Sequence, residues 1–321
     1  MYLLKDGESV IYDELSQSEL NALERFVEIS RHVEEIHGLF SVFLKNIEAF
    51  RSEYTLKNGG RIFRGSALAD AQDDYIAINA HTINVISSGK TLVESMDCYI
   101  KTGGIEDSKK SAYAAFCSKI YDASFSYRLL FQLRNYAQHG HLPVSTDGKT
   151  YFFDLPQIID KPHYAHNKTL KKQLCQINRD CIATYGQIPK IPLTESIAEF
   201  SAELLYIYEN FWNFAECEFK IAAASFFETV EKYPGNKIGQ DGENELFIYK
   251  TAGENVHAAL IGKDSLKHFF ALKKDAQKTY KDFEEAYKSL CEGNIFIRLS
   301  DGEISIGRGV EIHNSRLGAA R

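Results

Sequence analysis

One arginine, one asparagine and two histidines lie close together near the middle of the chain. They are Arg134, Asn135, His139 and His141, and Gly140 separates the two histidines. An arginine is always charged and binds phosphate oxygens with paired hydrogen bonds, whereas a histidine titrates near neutral pH and can move a proton. This combination indicates chemistry on a phosphate group.

The four residues occupy the predicted end of a helix. Apolar side chains precede them at helical spacing, at Phe125, Leu129, Leu130, Leu133, Tyr136 and Ala137. Gly140 can adopt the left-handed conformation that ends a helix, and Pro143 prevents the helix from continuing. Asn135 and His139 are four residues apart and share one face, so we expect Asn135 to orient the His139 ring. The alternative interpretation is that Arg134 and His139 only cap the helix by binding its free carbonyl groups.

The spacing Arg134-Asn135-x-x-x-His139 resembles the Rx4–6H motif of HEPN domains, in which a polar residue often follows the arginine. HEPN domains are all-helical bundles of prokaryotic toxins, defence proteins and RNA-processing factors, and many are metal-independent endoribonucleases. The resemblance covers a helical core over residues 15–232. It implies that Arg134 clamps the phosphate and that His139 is the acid or base. His141 also satisfies the spacing, so the choice of histidine stays open, with His139 preferred because Asn135 precedes it by one turn.

The implied reaction needs no metal or other cofactor, because RNA carries its own nucleophile, the 2′-hydroxyl group. One histidine cannot easily act as both base and acid, so we expect a homodimer with a composite active site. A toxin or phage-defence effector of this type also implies an antitoxin or a defence-system subunit as partner. The competing interpretation is a catalytically inactive HEPN-like helical scaffold that binds a protein or nucleotide.

Composition and charge restrict the classes of protein. The chain has 321 residues, of which 44% are hydrophobic and 25% charged, as in a globular protein, and its net charge of −7 excludes a polycation that coats nucleic acid. Basic residues are concentrated between residues 161 and 190, and we expect Lys161, Lys168, Lys171 and Lys172 to contact RNA. The six cysteines form no CxxC pair, and there is no signal peptide or long apolar run, which predicts a cytoplasmic protein without a membrane span.

Two further histidines, His163 and His166, follow the motif. Together with His139 and His141 they could bind a metal ion. No carboxylate or thiolate at ligand spacing accompanies them, so we expect no metal site.

The hydrophobic pattern predicts a mostly α protein in two domains. Residues 1–234 are expected to form an elongated, HEPN-like helical bundle, with a hairpin and a basic loop inserted at about residues 142–193. Residues 235–321 are expected to form a small α+β module. Ser196 and Glu199 have the spacing of a capping box, a reciprocal pair of hydrogen bonds that opens a helix, and would open the last long helix of the bundle.

Local signals set the expected ends of the other helices. Ser16 and Glu19 form a second capping box at the start of the first helix, and Gly38 is expected to interrupt that helix. The helical region that carries the motif is expected to run from about Ser108 to His139, with a kink near Asp122.

Overall fold

The computed structural model shows that the protein is mostly helical, as the sequence predicts. It describes residues 2–5, 8–11, 16–60, 68–148, 150–160, 168–186, 190–232, 245–252, 255–261, 264–291, 295–300 and 303–308.

These ranges contain eight helices and nine strands. The helices are α1 (Gln17–Gly60), α2 (Leu68–Thr102), α3 (Asp107–Ala123), α4 (Phe125–Gln138), α5 (Leu155–Asp160), α6 (Lys168–Tyr185), α7 (Leu193–Glu231) and α8 (Asp264–Cys291). The strands are β1 (Tyr2–Lys5), β2 (Glu8–Ile11), β3 (Ser145–Thr146), β4 (Tyr151–Asp154), β5 (Lys190–Pro192), β6 (Glu245–Ala252), β7 (Asn255–Ile261), β8 (Ile295–Ser300) and β9 (Glu303–Arg308).

The strands form three antiparallel sheets. The first has the order β2-β1-β6-β7, so strands from the start of the chain pair with strands that follow α7. The second has the order β3-β4-β5 and contains the predicted hairpin, whose turn includes Gly148 at a φ of +81°. The third is a hairpin of β8 and β9, in which Leu299 lies opposite Ile304.

Three long helices, α1, α2 and α7, pack against one another and enclose the largest part of the hydrophobic core. Helix α8 packs on α7 through Phe269, which stacks on Phe219 with ring centroids 4.0 Å apart and meets the edge of Trp212. The C-terminal segment therefore contributes a buried aromatic side chain to the helical core. The division of the chain into two domains at residue 234 stays a prediction.

The first helix begins as predicted but is not interrupted. The Ser16 amide donates to the Glu19 carboxylate, and the Glu19 amide donates to the Ser16 hydroxyl, which is the reciprocal pattern of a capping box. The interruption predicted at Gly38 is wrong, because α1 continues through it to Gly60. Packing of both flanking segments on the core outweighs the low helix propensity of a single glycine.

The predicted kink near Asp122 is a complete break between two helices. Ser124 has extended backbone angles, ends α3 and begins α4. Its hydroxyl accepts a hydrogen bond from the Tyr127 amide, which caps the new helix.

The insertion predicted at about residues 142–193 as a hairpin and a basic loop contains two helices, α5 and α6, after the hairpin strands, so the description of that part as a loop is wrong. Leu170, Leu174 and Ile177 lie on one face of α6 and are buried in the core. This apolar stripe with four- and three-residue spacing is the sequence signal of the missed helix.

Four of the six cysteines, Cys98, Cys117, Cys175 and Cys217, are free thiols. No helix in the described ranges has an apolar stretch that could span a bilayer.

Two glycines of the long helices differ in the space around them, which gives opposite predictions for substitution by alanine. A Cβ atom on Gly38 would meet nothing within 4 Å, whereas a Cβ atom on Gly89 would lie 2.7 Å from Leu204 Cδ1 and 3.0 Å from Phe200 Cε1. Gly38→Ala should raise the free energy of unfolding by about 0.5–1 kcal/mol through helix propensity. Gly89→Ala should lower it by about 1–2 kcal/mol, because overpacking exceeds the same propensity gain. Urea unfolding of both variants measures the difference, and a stabilised Gly89→Ala would show that α2 and α7 are less tightly packed than described.

The capping box gives a prediction for pH dependence. Hydrogen bonds from the Ser16 hydroxyl and amide, helped by the Lys232 ammonium, lower the pKa of Glu19 from 4.5 to about 2. The folded-state pKa lies below the unfolded one, so the stabilisation is complete above pH 4.5 and is lost as the pH falls towards 2.

We expect the difference in Tm between the wild type and Glu19→Gln, measured by circular dichroism at low salt, to shrink over this range. Glutamine preserves the capping geometry without a titrating charge. A difference that stays constant from pH 6 to pH 2 would contradict the prediction.

Candidate functional site

Helix α4 presents the residues of the motif and is one of the most buried helices of the fold. Its side chains Phe125, Leu129, Leu130, Leu133 and Tyr136 are all at most 1% exposed. They pack between α2 and α7. The backbone that carries the motif residues is therefore fixed in position by the packing of these side chains in the core.

A buried carboxylate fixes the start of α4. Glu199 of α7 is only 8% exposed and accepts hydrogen bonds from Ser124 Oγ at 2.7 Å and from Ser126 Oγ at 2.6 Å. The prediction that Ser196 and Glu199 open α7 is wrong, because α7 already begins at Leu193 and Ser196 Oγ donates to the Pro192 carbonyl. A carboxylate at the positive end of a helix is stabilised there by the helix dipole.

Two arginines of α4 have different environments. Arg128 is buried and uses all three nitrogens: Nε donates to the Tyr121 carbonyl, Nη2 to the Asp122 carbonyl and Nη1 to the Gln173 side chain. Arg128 thus joins α4 to the end of α3 and to α6. Because the side chain is only 5% exposed and each of its nitrogens already donates to the protein, Arg128 is not placed to bind a ligand.

Arg134 has donor capacity left. Its side chain is 25% exposed, and its Nη1 lies 4.0 Å from Glu94 Oε2 of α2, within ion-pair range but too far for a hydrogen bond. Its Nε is buried and makes no hydrogen bond to any residue that the structure describes. The guanidinium is therefore held in place electrostatically, and because Nε is shielded from solvent, an anion would bind at the Nη groups of this partly exposed side chain.

Lys90 of α2 completes a cluster around this arginine. Lys90 Nζ lies 3.9 Å from Glu94 Oε1 and 4.8 Å from the centre of the Phe131 ring. Burial lowers the pKa of Lys90, the Glu94 carboxylate opposes this effect, and the nearby Arg134 guanidinium lowers the pKa further. Two cations thus face one carboxylate at the junction of α2 and α4.

After α4 the chain continues through a short segment that is fixed at both ends. The helix ends at Gln138, and Gly140 has the predicted left-handed conformation, with a φ of +83°. The buried Asn79 side chain of α2 then makes two bonds to the Val144 backbone, accepting from its amide at 2.9 Å and donating to its carbonyl at 3.2 Å. The segment that carries both candidate histidines is therefore fixed at each end.

The two histidines have different surroundings. His139 caps the helix, is exposed, and donates its backbone amide to the Asn135 carbonyl. The His141 ring is half-buried and lies against the Tyr136 ring, with centroids 4.8 Å apart. The exposed ring of His139 is better placed to meet a large substrate, whereas the assignment of the catalytic histidine and the orienting role of Asn135 stay predictions.

The predicted basic RNA contacts lie in part on α6. Lys168, Lys171 and Lys172 occupy its first turns and are exposed or half-exposed. Lys161, together with His163 and His166, lies outside the described residues. Among the residues that are described, no cluster of three or more histidine, cysteine, aspartate or glutamate side chains could hold a metal ion.

Sequence reasoning missed Lys90 and Glu94. Their four-residue spacing on a helix is a visible signal, but it is the ordinary spacing of a solvated ion pair. Only the packing of α2 against α4 brings them to Arg134.

Comparison with known proteins identifies no relative. No protein-family model, no curated protein and no solved structure matches this chain. The function is therefore inferred from the residues and contacts described above.

The contact between Glu199 and α4 gives a prediction for stability. Ser126→Ala removes one hydrogen bond to a buried carboxylate and should lower the free energy of unfolding by about 2 kcal/mol. Ser124→Ala removes a similar bond and also the cap on the Tyr127 amide, so it should cost about 1 kcal/mol more. Urea unfolding tests both, with the exposed Ser111→Ala on α3 as the neutral control. Equal costs for the two variants would show that the cap contributes nothing.

Proposed function

We propose that the protein is a metal-independent endoribonuclease of the HEPN type. The observation that carries the proposal is Arg134, a partly buried guanidinium with unused donor groups, which stands five residues before the exposed His139. A preorganised cation beside a group that titrates near neutral pH is what phosphoryl transfer requires. The mostly helical fold is compatible with the HEPN resemblance of the motif.

In the proposed reaction a base removes the proton of the RNA 2′-hydroxyl, and the 2′-oxygen attacks the adjacent phosphorus. The bond from phosphorus to the 5′-oxygen breaks, and an acid protonates that oxygen. The products are a 2′,3′-cyclic phosphate and a free 5′-hydroxyl. His139 acts as the acid or base, and Arg134 stabilises the charge that develops on the non-bridging oxygens.

The proposed partners follow from this chemistry. A homodimer would bring a second Arg134 and a second His139 into one composite site, which supplies both the acid and the base. The lysines at the start of α6, with Lys161, would contact the RNA backbone. A role as a toxin or an antiviral defence effector, restrained by an antitoxin or a neighbouring subunit, is part of the same proposal.

One observation favours a catalytically inactive helical scaffold as the second candidate. The ion pair of Arg134 with Glu94 joins α4 to α2, as a purely structural arginine would. This scaffold would bind a protein or nucleotide and would not cleave RNA.

Cleavage of end-labelled RNA in EDTA distinguishes the two candidates. The wild type should give 2′,3′-cyclic phosphate ends, and a matched all-deoxy strand should stay intact because it lacks the nucleophile. Arg134→Ala should lower the rate at least about 100-fold, and His139→Ala about 100-fold or more. The exposed Gln138→Ala on the same turn is the matched control and should retain full activity.

The outcome for His141→Ala assigns the histidine. Activity retained in this variant and lost in His139→Ala supports His139, and the reverse result assigns the role to His141. Cleavage of the all-deoxy strand would contradict attack by the 2′-oxygen. A folded wild type that cleaves no RNA would leave the scaffold as the function.

A further inference from the structure

A buried lysine lies beside the proposed phosphate-binding arginine. Among the residues whose side chains are described, Lys90 is the one buried lysine, with a side chain 11% exposed. The Phe131 ring lies 4.8 Å from its ammonium group, in the range of a cation–π interaction. A lysine seldom gives up this much hydration unless an anion compensates for it.

The nearby carboxylate of Glu94 compensates the positive charge only in part. Glu94 directs Oε1 towards Lys90 at 3.9 Å and Oε2 towards Arg134 at 4.0 Å. Both distances exceed those of a hydrogen bond, and one negative charge faces two positive ones. The two cations therefore retain a net positive charge and unused donor groups.

The three side chains differ in their freedom to move. Glu94 is 53% exposed, whereas Arg134 is 25% exposed and Lys90 is held between two helices. The Glu94 carboxylate can turn into solvent without disturbing the core, and the two cations cannot.

We propose that Lys90 and Arg134 together form the binding site for one phosphate group of RNA, and that Glu94 is a displaceable counter-ion of this site. The proposal rests on the proposed function and adds to it a second phosphate-binding residue and a residue that sets affinity. Two non-bridging phosphate oxygens would replace the two carboxylate oxygens, each facing one cation. The same phosphate would also relieve the lowered pKa of Lys90 by supplying the missing negative charge.

Calorimetric titration of the full-length protein with inorganic phosphate at low salt tests the site without requiring cleavage. Glu94→Gln removes the competing charge and should tighten phosphate binding at least about fivefold, the effect of one charge at 4 Å in water. Lys90→Met preserves the volume of the side chain and should weaken binding about tenfold or more, because a charge-assisted bond is lost.

Lys101 and Asp97 provide the matched control. They form an ion pair of the same spacing on the same helix, at 2.5 Å and exposed to solvent. Lys101→Met and Asp97→Asn change the net charge as the test variants do and should leave phosphate affinity within about twofold.

The proposal is overturned if Glu94→Gln does not tighten phosphate binding or if Lys90→Met does not weaken it. It is also overturned if neither the wild type nor any variant binds phosphate. Because Glu94 is exposed, Glu94→Gln should fold and keeps the test decisive if Lys90→Met is unstable. If the phosphate affinities shift as expected but the protein cleaves no RNA, the phosphate site is supported and the proposal of a ribonuclease is refuted. Cleavage by the wild type with phosphate affinity unchanged in both variants would preserve the ribonuclease and refute the site.

Discussion

The position of α4 depends on one buried carboxylate. Glu199 would be strongly destabilising inside the core without partners, and the hydroxyls of Ser124 and Ser126 satisfy it at the point where the chain breaks between α3 and α4. Since Ser124 ends one helix and begins the next, these hydrogen bonds fix the place where α4 starts on α7. The place of Arg134, almost three turns further along, follows from that starting point.

Much of the fold could be predicted, because local signals agree with the tertiary structure. The capping box at Ser16 and the left-handed end of α4 at Gly140 depend on neighbouring residues alone, and both are found as predicted. The predictions failed where a distant partner decides. Gly38 stays helical because both sides of it pack on the core, and α7 begins at Leu193, before the predicted capping box, while Glu199 bonds to the start of α4. Helix α6 was missed because its many basic residues obscured a short apolar stripe.

Only the part of the candidate site that is contiguous in the sequence could be predicted. Arg134 and the two histidines lie in one segment, so their types and spacing suggest a function without any knowledge of packing. Lys90 and Glu94 lie about forty residues earlier, and nothing local distinguishes them from a solvated ion pair. Their contact with the arginine depends on how α2 crosses α4, which no local pattern specifies.

The two arginines of α4 illustrate how one helix can serve both stability and chemistry. Arg128 is buried, donates from all three of its nitrogens to protein groups and joins three helices, so it contributes to the rigidity of α4. Arg134 gains a fixed position from that rigidity, and its Nη1 is too far from Glu94 for a hydrogen bond and so remains a donor for a ligand. A cation that is already in place needs little reorganisation when charge develops on a phosphate. In the proposed reaction, the charge stabilisation that divalent metals supply to many phosphoryl-transfer enzymes would come from Arg134 and Lys90, held in place by the packing of α2, α4 and α7.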